Sequence, residues 1–315
     1  MRPSAWRGLF VLLLPLAVAA FDLSLLTALL LVALVLLWQW LNVLKFDNEH
    51  EPAEIVLESI GASHYVEKVR WCLDILGIDY VEQVHGGTLG AFYRGRTVPV
   101  LRFRTGRVIS SIGNSPEILR YLWGTCSAEA TGKAAFLEPL PERIELEQRL
   151  DRYGRNLQVW LYWHLIDERD LVLDAWGADD PRVPRLERRL LRILYPVQRL
   201  LMRRTFRLNQ AHFDKSRAHI ERLLGEVDSA LREHPQSILG DAEPNYTDYA
   251  FAALSSLWVL PPNLAGRTVG PVLERDRLPE GMREDLETFG SRYPAALEFA
   301  ERLYRDARPA EGANA

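Results

Sequence analysis

The sequence EIVLESIGASHYVEKVRWCLDILGIDYVEQV, residues 54–84, places one helical pattern between two strand patterns. The apolar residues Ile55, Val56, Leu57 and Ile60 are typical of a buried strand. From Val66 to Leu76 the apolar residues then recur at helical spacing, and Gly77 is the residue type that most often ends a helix. Residues 78–84 alternate like a second strand. A strand, a helix and a strand of these lengths predict a parallel βαβ unit with a right-handed crossover.

Two further segments complete this unit: RTVPVLRF at residues 96–103 and RVISSIGNSPEILRYL at residues 107–122. Strand patterns at residues 98–103 and 107–111 are separated by the short Thr105-Gly106 connection, which predicts a hairpin. A helical pattern follows from Ser115 to Tyr121. The predicted order over residues 54–125 is therefore βαβ-ββα.

A second domain is predicted from the helical spacing that dominates the chain after Pro139. The pattern is interrupted at residues 177–184, 235–244 and 261–279, and it predicts an all-α domain over residues 139–310 with a disordered tail at 311–315. Asn245 followed three residues later by Asp248 is the spacing of a helix capping box. This pair is expected to stabilise the fold rather than to take part in chemistry.

The first forty-five residues are too apolar for a surface helix of a soluble domain. Residues 8–21 and 23–38 are nearly pure apolar runs separated by Asp22, and we predict that residues 1–45 anchor the chain in a membrane. The polar residues 46–53 are a short linker that would hold the folded part close to the bilayer.

Three arrangements of this anchor remain open. Arg2 and Arg7 followed by the small residues 17–19 are typical of a signal peptide, although cleavage would leave the second apolar run as an anchor. Residues 23–44 could instead form a single span. A helical hairpin turning near Asp22 would place both basic ends on one side of the membrane, which the positive-inside rule makes the cytoplasmic side. The folded part is accordingly expected at the membrane, facing the cytoplasm.

The order of elements, with TVPVL before the hairpin, SHYVEKVR at the first helix and NSPEILRYL at the last, resembles the thioredoxin-like half of glutathione transferases. The resemblance extends over residues 54–300. It implies an α/β thioredoxin-like domain followed by an all-α domain like the C-terminal domain of that family. It also implies that glutathione is the co-substrate.

The resemblance assigns the thiol-binding position to the mouth of the first helix. Ser63 falls where the serine and cysteine classes of the family carry the residue that contacts the glutathione sulfur, and Tyr65 is the alternative. A helix N-terminus presents free N–H groups and partial positive charge, which stabilise a thiolate. A dithiol motif is excluded, because neither Ser63 nor Val66 is a cysteine.

The same resemblance assigns the rest of the tripeptide to two further places. Pro99 is expected to be cis, and the backbone of Val98 to pair with the glutathione backbone like an added strand. Asn114 and Ser115 are expected to hold the γ-glutamyl group. Glutathione transferases usually carry an acid at the first of these two positions, so Asn114 keeps a hydrogen-bond acceptor and loses the charge.

Composition excludes several other functions. The net charge of −4 favours no polyanionic partner, so nucleic acid is not expected. Cys72 and Cys126 make no disulfide framework, and no metal site is expected. The arginine-rich stretch Arg182–Arg207 departs most from the family. It could be a solvated helix face or a basic amphipathic helix that rests on anionic lipid. Nucleic acid is the third alternative, which no aromatic-basic strand motif supports.

Two functions follow from these expectations. The first is a membrane-anchored, glutathione transferase-like protein that binds glutathione and, if active, conjugates it to a hydrophobic small molecule. The alternative is a non-catalytic member, like the metaxins, that uses the fold to bind other proteins. Membrane lipid and a second copy of the chain, in a homodimer, are the other partners left open.

Overall fold

The structure is a computed structural model in which residues 53–87, 98–105, 108–128, 132–261 and 273–306 are described, with Leu264 and five isolated positions between 27 and 37. The predicted tail lies outside these residues. The predicted anchor and linker also lie outside them, apart from those five positions and Ala53. Within the described ranges, no helix combines the length and the apolar character needed to cross a membrane.

Four strands form one mixed sheet in the order β2-β1-β3-β4. They are β1 (Glu54–Ser59), β2 (Val81–Val84), β3 (Val100–Thr105) and β4 (Val108–Gly113). β2 lies parallel to β1, whereas β3 runs antiparallel to both β1 and β4. With helices α1 (His64–Leu76) and α2 (Ser115–Cys126), the chain forms the predicted thioredoxin-like βαβ-ββα unit.

The ends of α1 are set by local chemistry. The Ser63 side chain caps the first turn, and Gly77 takes up a left-handed conformation at φ 68° beyond the last turn. The N–H of Ile78 still donates to the carbonyl of Leu73 at 3.0 Å. Because Ile78 remains bonded to the helix end, β2 begins at Val81, and the predicted start at residue 78 was three residues early.

The second domain is all-α, as predicted. Its helices are α3 (Pro141–Leu165), α4 (Arg169–Ala175), α5 (Arg185–Thr205), α6 (Gln210–Glu233), α7 (Tyr246–Leu254), α8 (Ser256–Val259), α9 (Glu280–Arg292) and α10 (Pro294–Asp306). The capping box at the start of α7 is confirmed: Asn245 accepts from the N–H of Thr247, and Asp248 accepts from the N–H of Asn245, each at 2.8 Å.

Helix α1 lies between the sheet and the helical domain, and both of its faces are covered. Leu73 belongs to the core beneath the sheet, whereas Trp71 belongs to the core of the helical domain. The Trp71 ring contacts Tyr249 and Tyr304, with centroids 5.5 and 4.6 Å apart. This packing fixes α1 against the helical domain.

Candidate functional site

Three chain segments that carry predicted site residues meet at one end of the sheet. Val100, at the start of β3, pairs with Glu58 near the end of β1 and with Gly113 at the end of β4. The chain beyond β1 leads to Ser63, and the chain beyond β4 leads to Ser115. The segment before Val100 is the prolyl segment, so the three places that the sequence assigned to one ligand are neighbours in the fold.

The peptide bond between Val98 and Pro99 is cis, as predicted. Pro99 is buried, and its carbonyl accepts the N–H of Asn114 at 3.3 Å. This hydrogen bond joins the prolyl segment to the start of α2. Val98 therefore lies beside the start of α2, at the end of the sheet where the three segments meet.

Ser63 occupies the N-cap position of α1 and is half-buried. Its Oγ accepts the N–H of Val66 at 3.4 Å. Accepting this hydrogen bond leaves the hydroxyl proton of Ser63 available to donate to a ligand. A sulfur placed here would also lie near the partial positive charge of the helix N-terminus.

Tyr65, the alternative thiol partner, is directed at the helical domain. Its hydroxyl donates to the carbonyl of Asp151 on α3 at 3.3 Å. A Cβ atom built on Gly154 would lie 2.5 Å from the same hydroxyl oxygen. Burial, followed by the charge of Asp151, raises the pKa of Tyr65 above its usual range. Of the two candidates, Ser63 is the one whose proton is free to reach a ligand.

The start of α2 differs in detail from the expectation. The N-cap is Asn114, at φ 73°, and its exposed side chain makes no capping hydrogen bond. Ser115 is the first helical residue and is 1% exposed. Among the described residues, its Oγ has no hydrogen-bond partner. An unpaired buried hydroxyl is unfavourable, so this group and the free N–H groups of the first turn fit a carboxylate ligand.

A loop of the helical domain lies over the mouth of α1, which the sequence did not indicate. A Cβ on Gly61 would lie 3.8 Å from Oδ2 of Asp180 and 4.0 Å from Nη2 of Arg182. Arg182 donates from Nε and Nη2 to Asp180 at 3.1 and 2.9 Å. The hydrogen bond with Asp180 raises the pKa of Arg182 further above its already high value, and the guanidinium stands as a cation beside the site. The DDPR sequence at 179–182 shows that Asp180 and Arg182 are close in sequence, but not that they lie over the mouth of α1.

A small apolar cavity opens beside this mouth. Its wall includes Ala62, directly before Ser63, while the remaining wall comes from the helical domain. Those residues are Leu161, Leu165, Ala175, Ser256, Leu257, Leu260, Pro261, Leu264 and Leu273. The arrangement can receive an apolar group next to the residue predicted to hold the sulfur.

Helix α1 also carries Cys72, which is buried in the described part of the chain. Burial raises the pKa of Cys72 to about 12, so this thiol stays protonated at neutral pH. Within the same residues, no group of three histidine, cysteine, aspartate or glutamate side chains is placed to hold a metal ion. His164, on α3, instead faces Asp285, with Nε2 and Oδ2 3.6 Å apart.

One family model matches part of the chain. The family model described as the glutathione S-transferase N-terminal domain matches residues 62–123. No curated protein sequence gives a significant match. The matched segment covers the mouth of α1, the cis-prolyl segment and the start of α2.

Several solved structures resemble the chain over most of its length. A glutathione S-transferase from Methylobacterium radiotolerans, in complex with glutathione sulfonate, is 16% identical, with 81% of this chain and 95% of that chain covered and a TM-score of 0.49. FzlA from C. crescentus is 17% identical, with 79% and 87% covered and a TM-score of 0.46. Maleylacetoacetate isomerase from Anaeromyxobacter dehalogenans, with bound GSH, is 16% identical, with 82% and 98% covered and a TM-score of 0.38. Likenesses of this size assign no activity to the chain.

Proposed function

We propose that this chain is a membrane-anchored, glutathione transferase-like protein that binds glutathione and conjugates it to a hydrophobic electrophile. The observation that carries the proposal is the meeting of Ser63, the cis Val98-Pro99 peptide and the unpaired buried hydroxyl of Ser115 at one end of the sheet. The match of residues 62–123 to the glutathione S-transferase N-terminal domain supports it independently.

In the proposed complex, each part of the tripeptide has a partner of matching chemistry. The γ-glutamyl carboxylate accepts hydrogen bonds from Ser115 and the first turn of α2. The backbone of Val98 pairs with the cysteinyl backbone of the ligand. The Ser63 hydroxyl donates a hydrogen bond to the sulfur and thereby lowers the pKa of the thiol, together with the N-terminal turn of α1.

The reaction then needs only a thiolate and an electrophile. The thiol proton leaves to solvent, and the sulfur forms a bond to the electrophilic carbon. The displaced electron pair departs with a leaving group or is protonated on the activated substrate. The apolar cavity next to Ala62 favours a hydrophobic electrophile, because it would take such a group out of water beside the sulfur.

Retention of the full-length chain, in detergent, on immobilised glutathione tests the ligand. The enzyme is tested by Ser63→Ala, which should abolish most turnover of a panel of hydrophobic electrophiles while retention persists. Ser110→Ala, on an exposed part of β4, is the matched control and should behave like the parent chain. Failure of the parent chain to bind glutathione would remove the proposal.

The alternative, a non-catalytic module that binds proteins as the metaxins do, is favoured by one observation. Asn114 stands where glutathione transferases usually carry an acid, and its side chain is exposed and does not cap α2. A neutral amide makes a weaker hydrogen bond to the ligand's ammonium group than a carboxylate does. Glutathione binding without turnover of any electrophile would favour this alternative.

Anchoring by residues 1–45, with the folded part on the cytoplasmic side, belongs to the same proposal. It is supported by the apolar runs at residues 8–21 and 23–38. The chain is expected to stay with the membrane fraction after washing at high pH. Protease added to right-side-out vesicles should leave the folded part intact, and its digestion there would contradict the proposed side.

A further inference from the structure

Helix α5 has two apolar faces, of which only one is covered. The covered face packs on the helical domain through Leu191, Tyr195, Gln198 and Met202. The opposite face carries five large apolar side chains, each between 51% and 70% exposed: Leu186, Ile193, Val197, Leu200 and Leu201. Their spacing of three, four and seven residues places them on a single stripe. A stripe of this kind on a folded domain indicates a surface that contacts something apolar.

The stripe is bordered by positive charge. Arg189 lies four residues before Ile193, and Arg204 lies four residues after Leu200, so both stand on or beside the same face. Neither makes an ion pair with any described residue. Arg192, Arg199 and Arg203, further round the helix, are paired with Asp179 or Asp167.

No carboxylate on α5 offsets this charge. Glu187 is the only acid between residues 185 and 205. It is turned toward the thioredoxin-like domain, where it accepts the N–H of Gly86 at 2.9 Å and lies 3.4 Å from Nδ1 of His85. The exposed face is therefore both apolar and cationic.

These two properties together select the occupant. Nucleic acid would match the charge but not the apolar side chains. A second copy of the helix would set arginines against arginines. The apolar N-terminal residues 8–38 would cover the leucines but offer one carboxylate, that of Asp22. An anionic bilayer supplies acyl chains for the stripe and phosphates for the arginines at the same depth.

We propose that the exposed face of α5, defined by Leu186, Ile193, Val197, Leu200, Leu201, Arg189 and Arg204, docks in the interfacial region of an anionic lipid bilayer. The inference does not depend on glutathione binding. It gives the folded part a second, peripheral membrane contact and a fixed orientation. In this orientation α5 lies between the bilayer and Gly86. Helix α5 packs closely on this glycine, since a Cβ built on Gly86 would be 2.8 Å from a Leu191 methyl group.

A nitroxide label at position 193 of the full-length chain tests this docking. Ile193→Cys is made in a Cys126→Ser background, since the remaining Cys72 is buried and its pKa is raised. Ile109→Cys, on a similarly exposed apolar position of β4, is the matched control. Collisions of each label with oxygen and with a water-soluble nickel complex are measured in vesicles of phosphatidylcholine with phosphatidylglycerol.

The label at 193 should gain oxygen collisions and lose nickel collisions in the anionic vesicles, whereas the label at 109 stays accessible to nickel. Arg189→Glu with Arg204→Glu should return the label at 193 toward water-exposed values. Equal nickel access at both positions, or a chain that does not associate with the vesicles, would overturn the proposal. The proposal would also be overturned if the label at 193 were equally protected from nickel in lipid-free micelles and more protected at higher protein concentration. The face would then be an interface between copies of the chain.

Discussion

The ammonium group of Lys68 lies 2.9 Å from Oε1 of Glu147, and neither side chain is more than 4% exposed. Lys68 is on α1 and Glu147 on α3, so this ion pair joins the two domains. Arg120 of α2 contacts the second carboxylate oxygen of Glu147. The pair is buried away from water, and removing one partner leaves a charge that solvent cannot reach.

Lys68→Met should lower the free energy of unfolding by about 3 kcal/mol, because Glu147 is then left buried with one partner. Thermal unfolding of the full-length chain measures the loss. Replacing both residues by methionine should recover much of it, since Arg120 is partly exposed and can turn to water. Arg104→Ala, in the exposed pair with Glu54, is the control and should cost about 0.5 kcal/mol or less. A similar cost for Lys68→Met would contradict the burial of the pair.

Two glycines inside helices should respond to alanine with opposite signs. A Cβ on Gly154 would lie 2.5 Å from the Tyr65 hydroxyl oxygen and 2.8 Å from Leu254 Cδ2, whereas Gly290 has nothing within 4 Å. We expect Gly154→Ala to destabilise by about 1–3 kcal/mol through overpacking. Gly290→Ala should stabilise by about 0.5–1 kcal/mol through helix propensity. Thermal unfolding midpoints of the two variants measure both effects. If both substitutions stabilise the chain, α1 and α3 are not in close contact at Gly154.

His64 should make the fold sensitive to mild acid. Burial lowers its pKa from 6.5 to about 4, and its Nε2 has no partner among the described residues. As the pH falls, the unfolded chain binds the proton at a higher pH than the folded chain does. The contribution of His64 to the free energy of unfolding is therefore fully present above pH 6.5 and is lost as the pH falls toward 4. The loss at pH 5 is about 2 kcal/mol.

His64→Phe should remove this part of the pH dependence when thermal midpoints at pH 7 and pH 5 are compared. His219→Gln, on α6, controls for the loss of a histidine as such. A His64→Phe variant that loses as much stability between the two pH values as the parent would show that His64 is solvated in the folded chain.

If the proposed function holds, Ser115→Ala and Ser63→Ala should separate binding from thiol activation. Loss of a hydrogen bond to the ligand's carboxylate should raise the KM for glutathione about tenfold or more in Ser115→Ala, with kcat little changed. Ser63→Ala should lower kcat and raise the pKa of the bound thiol, which the ultraviolet absorbance of the thiolate reports. Equal changes in KM and kcat in both variants would contradict the separate roles.

The site was predictable where it depends on residues next to one another. Ser63 before α1 and Asn114-Ser115-Pro116 before α2 are visible as helix starts, and the resemblance gave the cis form of Pro99. Asp180 and Arg182 were not found, because their place depends on the packing of a distant loop against Gly61. The sequence also did not predict the hydrogen bond from the Tyr65 hydroxyl to α3, since Asp151 is far from Tyr65 in sequence.

The sequence by itself determined the order of strands and helices, the end of α1 at Gly77 and the capping box at Asn245 and Asp248. Each of these follows from periodicity or hydrogen bonding within a few residues. Only the tertiary structure decided which charges are buried, which loop covers the helix mouth and which face of α5 remains uncovered. Apolar residues on two sides of one helix look alike in sequence, and only contacts between distant parts of the chain distinguish the side that meets the core.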